Sequence, residues 1–130
     1  MNLGGRRLAV QAFFLLLIAI SMSTTGELLL KTGMNQVGVL HFSLDQFVPT
    51  LIRAFTNPFV LAGFVLIFGG SIFWLAVISR VDLSWAYPML SLGYILVVLL
   101  SWWFLNEAIT PLRLIGVGVI CVGVFLVSRS

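Results

Sequence analysis

The sequence predicts an all-α integral membrane protein. It has four transmembrane helices and a short interfacial helix between the first and the second, in one domain over residues 1–130. Three observations predict it. The 130 residues are 61% hydrophobic and only 8% charged, against about a quarter charged in a soluble domain. The charges fall in small groups that leave four uncharged runs: Leu8–Gly26, Ala54–Ser79, Leu83–Asn106 and Leu114–Ser128. The runs are apolar all round, without the alternation of a barrel strand. This composition excludes a soluble enzyme, a disordered chain and a nucleic-acid binder, which need a polar exterior, high polarity and a basic face respectively.

About 20 apolar residues cross a hydrocarbon core of roughly 30 Å, and the predicted spans are 8–32, 58–79, 84–105 and 111–128. The first follows Arg6 and Arg7. With Ser21-Met22-Ser23 it also fits a signal peptide, but its apolar character continues past Ser23. The connection after it places Leu44, Phe47, Val48, Leu51, Ile52 and Phe55 on one helical face, with Asp45, Gln46, Thr50 and Arg53 on the other. That is the pattern of a helix lying in the membrane interface. Ser43 with Gln46 fits a capping box, and Pro49 predicts a late or broken start. Asn57-Pro58 starts the second span, with a capping residue before a Pro at the first helical position. Asp82 or Ser84 caps the third, and Pro88 frees the carbonyl of Ser84 one turn inside it. Thr110-Pro111 starts the fourth, where Arg113 snorkels to the interface.

Four spans put both termini on one side, with Arg6, Arg7, Arg80 and Arg129; Lys31, Arg53 and Arg113 fall on the other. This near balance gives little positive-inside bias and fits either orientation. One four-helix unit is small for a translocation path, so assembly is expected. Gly116, Gly118 and Gly123 form the expected dimer seam on the fourth helix, since small residues permit close helix contact. Gly63, Gly69 and Gly70 are assigned to tight packing or bending of the second.

Polar groups inside a membrane are costly and therefore functional candidates. Ser23, Glu27 and Lys31 share a stripe on the first helix, with Thr24 beside it. Counting from Leu8 puts Glu27 about 29 Å along the helix, near the far membrane edge. Glu27 and Lys31 have the i,i+4 order that favours an ion pair. Such a pair either ends the helix or forms a rim for a polar headgroup. Tyr87, Ser91 and Tyr94 form a second stripe beside Pro88, and Trp74 faces the same path. Trp85, Trp102 and Trp103 are expected as interface anchors. Cys121 reads as a small core residue and His41 as a solvated one; no metal, cofactor or catalytic constellation is visible.

Gly26-Glu27-Leu28 with Lys31, the stretch Ala86-Tyr87-Pro88-Met89-Leu90-Ser91-Leu92, Leu105-Asn106-Glu107, and the glycines from Gly116 to Gly123 carry a resemblance over nearly the whole chain. The chain resembles the drug/metabolite transporter superfamily in its four-helix, small-multidrug-resistance-like (EamA-like) form. It is most similar there to the flippase subunits for aminoarabinose-phosphoundecaprenol. The resemblance implies a multi-pass protein of the bacterial inner membrane that moves a polyprenyl-phosphate-linked sugar between leaflets. It also implies a partner, either a second copy or a homologous four-helix chain. Ser23, Glu27, Lys31, Trp74, Tyr87, Ser91 and Tyr94 are then the substrate-binding candidates. A Lys suits the phosphate, a carboxylate suits an amino sugar, and apolar gaps leave the prenyl tail in membrane lipid. Small multidrug exporters carry an acid eight residues before the Lys, where this chain has Ser23. Export of cationic drugs or small metabolites is the alternative, and a non-transporting assembly subunit is a third reading.

Overall fold

A computed structural model describes residues 3–130. The helices are α1 (Leu3–Val37), α2 (Phe47–Thr56), α3 (Pro58–Ile78), α4 (Leu83–Met89), α5 (Gly93–Phe104) and α6 (Pro111–Ser128), with a 3₁₀ turn over Leu90–Leu92 joining α4 to α5. Among the described residues, four segments are long and apolar enough to cross a membrane: most of α1, α3, the broken α4–α5 run and α6. The chain is an all-α, multi-pass membrane protein.

The expected caps form at two starts. The Asn57 side chain accepts from the amides of Phe59 and Val60, and the Thr110 hydroxyl accepts from that of Arg113. The Arg113 guanidinium reaches back to the Ala108 carbonyl at 3.1 Å, as a charge leaving the hydrocarbon should. Two expected caps do not form. Asp82 stands at the start of α4 without a side-chain bond. The Ser43–Gln46 box is absent because the Ser43 carbonyl, not its hydroxyl, takes the amides of Gln46 and Phe47. Pro49 falls in the first turn of α2, where a missing N–H costs nothing.

α1 is longer than predicted, 35 residues or about 52 Å, and extends beyond the lipid at its C-terminal end. It packs chiefly along α3, with the chains so close that backbone meets backbone. A Cβ on Gly26 would lie 2.7 Å from the Gly63 carbonyl, and one on Gly63 would lie 2.6 Å from the Gly26 carbonyl. Lipid tails are as apolar as Leu, so such close contact, and not hydrophobic burial, holds membrane helices together. The pair is latched at each end: Asn57 Nδ2 donates to Gln36 Oε1 at 3.0 Å, and Arg80 Nε donates to Gln11 Oε1 at 3.4 Å.

The four crossings converge near the termini. Ala12, Leu16, Ile20, Val77, Ala86, Met89 and Val124 form the buried cluster there, and Trp85 packs against it. Trp102 and Trp103 do stand exposed at the far end of α5. α6 rests on α4 and the 3₁₀ turn. α2 lies across the far end with Thr50 and Ala54 against the protein and Val48, Ile52 and Phe55 exposed.

Candidate functional site

α3 gives a ruler for depth. Its 21 residues span about 31 Å, the hydrocarbon thickness, so its middle residue, Phe68, marks the mid-plane. Neighbouring Gly69 meets Met22 of α1. Ser23 is therefore at mid-membrane, Glu27 about 6 Å from it and Lys31 about 12 Å. This corrects the expectation that Glu27 lies near the membrane edge. Counting from Leu8 fails because the helix begins earlier and its centre is set by its partner.

Gly93 packs against Ile20 and Thr24, which brings the 3₁₀ turn to the same depth. Position 88 has no N–H to offer the Ser84 carbonyl, and the run relaxes into 3₁₀ geometry two residues later. Broken helices with exposed polar backbone occur in membranes only where they line a cavity or face protein. Here they line one. A groove of about 470 Å³ runs between α1 and the break, walled by Ser23, Thr24, Glu27, Tyr87, Ser91 and Tyr94. It continues outward into a smaller space of about 170 Å³, bounded by Glu27, Lys31, Leu28, Leu100, Ser101 and Leu105. Thr24, Glu27 and Val97 belong to both, so the two form one channel from mid-membrane to the far edge.

Six of the seven predicted site residues thus meet in one groove: Ser23, Glu27, Lys31, Tyr87, Ser91 and Tyr94. The seventh, Trp74, stands outside it. Its ring meets that of Tyr87 edge-on at 5.7 Å, so it supports the wall. Glu27 and Lys31 make no ion pair with each other or with any other described residue, and both are exposed to the groove. Of the two readings of this pair, the boundary salt bridge is therefore absent, and a carboxylate and an ammonium are displayed separately about one helical turn apart. Sequence reasoning treats Thr24 as a bystander and misses Ser101. Thr24 is 5% exposed and lines both parts of the groove.

Gly116, Gly118 and Gly123 are not in the groove. They face outward from α6 with no protein atom within 4 Å of where a side chain would start.

A family model for EamA-like transporters matches residues 7–129. The chain belongs to the EamA-like transporter family. It is 36% identical to the probable 4-amino-4-deoxy-L-arabinose-phosphoundecaprenol flippase subunit ArnF of Photorhabdus laumondii, covering 87% of this chain and 93% of that one. It is 34% identical to the corresponding probable subunit ArnE of Serratia proteamaculans, over 88% and 94%, and 31% identical to that of Proteus mirabilis, over 92% and 98%. No solved structure matches the chain. In this EamA-like chain the Leu105-Asn106-Glu107 motif has a local structural use. Asn106 takes a left-handed backbone (φ 55°), which ends α5 and turns the Glu107 amide back onto the Ser101 carbonyl at 3.1 Å.

Proposed function

We propose that this chain is a subunit of a flippase that moves a polyprenyl-phosphate-linked amino sugar across the bacterial inner membrane. The observation that carries the reading is the groove between α1 and the broken third crossing. It is open to lipid, polar at mid-membrane, and bears one cation and one anion at different depths. Lys31, near the membrane edge, meets the phosphate. Glu27, about one turn deeper, meets the sugar's ammonium. The prenyl tail stays in lipid along apolar residues such as Leu28 and Leu100. The names of the similar proteins support this substrate class. The open glycine face of α6 pairs with a second copy or with a homologous four-helix chain.

The test is delivery of 4-amino-4-deoxy-L-arabinose-phosphoundecaprenol to the opposite leaflet of proteoliposomes. Lys31→Ala is expected to slow it at least tenfold, which corresponds to about 1.4 kcal/mol. Full delivery by that variant overturns the phosphate role. The depth of Glu27 favours one second reading, export of a cationic amphiphile on that carboxylate. In that case Glu27→Gln abolishes transport of a quaternary ammonium compound and Lys31→Ala does not.

A further inference from the structure

A hydroxyl in a hydrocarbon-embedded helix has an easy partner, the carbonyl one turn back. Several of this protein's serines and threonines do that. Ser21 donates to Leu17, Thr25 to Ser21, Thr32 to Leu28, and Ser71 to Ile67, all at 2.7–2.9 Å. On α6, Ser128 donates to Phe125 at 2.6 Å. Beyond the first turn of α4, four serine and threonine hydroxyls among the described residues of the crossings make no such bond: Ser23, Thr24, Ser91 and Ser101. All four residues line the groove, the Ser23 oxygen at its α3 side beside Gly70.

The contrast is sharpest within one turn of α1. Thr25, exposed outside the groove, is satisfied by its own helix, while its neighbours Ser23 and Thr24 are not. Thr24 is the most enclosed of the four. It is 95% buried by its 5% exposure, and its Oγ1 is 3.7 Å from where a side chain at Gly93 would begin. The absence of that side chain keeps the hydroxyl accessible from the α5 side. That hydroxyl opens onto the groove and has no protein partner, so a ligand there meets an unused donor and acceptor.

We infer that Ser23, Thr24, Ser91 and Ser101 form a hydroxyl ladder that binds a polyhydroxylated headgroup, with Thr24 as its central rung. A sugar ring offers both donors and acceptors at short spacing, which four rotatable hydroxyls can match. A quaternary ammonium offers neither. The inference deepens the flippase reading and rests on it for the identity of the lipid. It adds what selects the headgroup: the hydroxyls read the sugar, while Lys31 and Glu27 read its charges.

The experiment measures binding of two amphiphiles of equal chain length to the reconstituted protein, an alkyl glucoside and an alkyl trimethylammonium. The glucoside carries hydroxyls but no phosphate or amine. The wild-type protein should prefer it. Thr24→Val, which keeps the shape and removes the hydroxyl, should weaken glucoside binding about fivefold and leave the ammonium unchanged. Ser101→Ala should act in the same direction. Thr24→Ser should bind as wild type, and Thr25→Val, which removes a self-satisfied hydroxyl, should be silent. Equal loss for both amphiphiles, no loss in Thr24→Val, or equal loss in Thr25→Val overturns the ladder. Failure to move the polyprenyl-linked sugar, with glucoside selectivity intact, overturns the flippase reading and leaves the ladder standing.

Discussion

Glycine positions separate two kinds of small residue that look alike in the sequence. Gly26 sits against the Gly63 carbonyl, a backbone atom that cannot give way locally. Gly116 sits against nothing. Gly26→Ala should therefore push α1 from α3 and cost about 2 kcal/mol, as overpacking does. Gly116→Ala should stabilise an isolated protomer by up to about 1 kcal/mol, because Ala is the better helix former. Thermal unfolding of both variants in detergent checks the difference in sign. The seam is written in the chain as Ala12, Ala19, Gly26 and Gly33, a small residue every seventh position. Each helix's own pattern is legible in this way, but it does not name the helix that will face it. Gly26 alone, without Gly63 opposite, is only one letter of a motif.

Among elements, the spans are legible because charges are expensive in lipid and so mark the ends. Features that depend on a packing partner are less so. α1 overruns its predicted end because Asn35 and Gln36 extend it past the lipid, where Gln36 meets Asn57. The depth of Glu27 is set by α3 and not by α1's own length. The polar stripes 23/27/31 and 87/91/94 are visible by helical spacing, but their meeting in one groove requires the packing of Gly93 against Ile20 and Thr24. Pro88 can be read directly, and its consequence is testable. Pro88→Ala restores an N–H to the Ser84 carbonyl and removes the reason for the 3₁₀ turn. The variant should be at least as stable to heat as wild type and slower in transport by about tenfold, since a straightened run carries Ser91 and Tyr94 away from α1. A variant that is both straight and fully active would show that the break is dispensable.

At the level of the whole molecule, the helices are unequally held. α1 and α3 share a long seam with polar latches at both ends, while α6 packs chiefly on α4 and the 3₁₀ turn, and Val124 is its one buried residue. Its inward side runs through Val117, Ile120, Cys121 and Val124, and its glycines face away. Gly123→Leu should leave the protomer's thermal stability unchanged and abolish association, read as loss of the larger species in native mass spectrometry. Loss of the fold instead would place that face inside the protomer.

The buried cluster near the termini has a consequence for traffic. It plugs the half of the membrane thickness near the termini, and the groove occupies the other half, ending just past the middle at Ile20 and Tyr87. A headgroup that enters at Lys31 and descends past Glu27 arrives at a cul-de-sac midway. In this conformation a protomer therefore offers half a crossing. The remaining 15 Å or so of hydrocarbon calls for a second groove opening the opposite way, or for this plug to loosen while the entrance shuts.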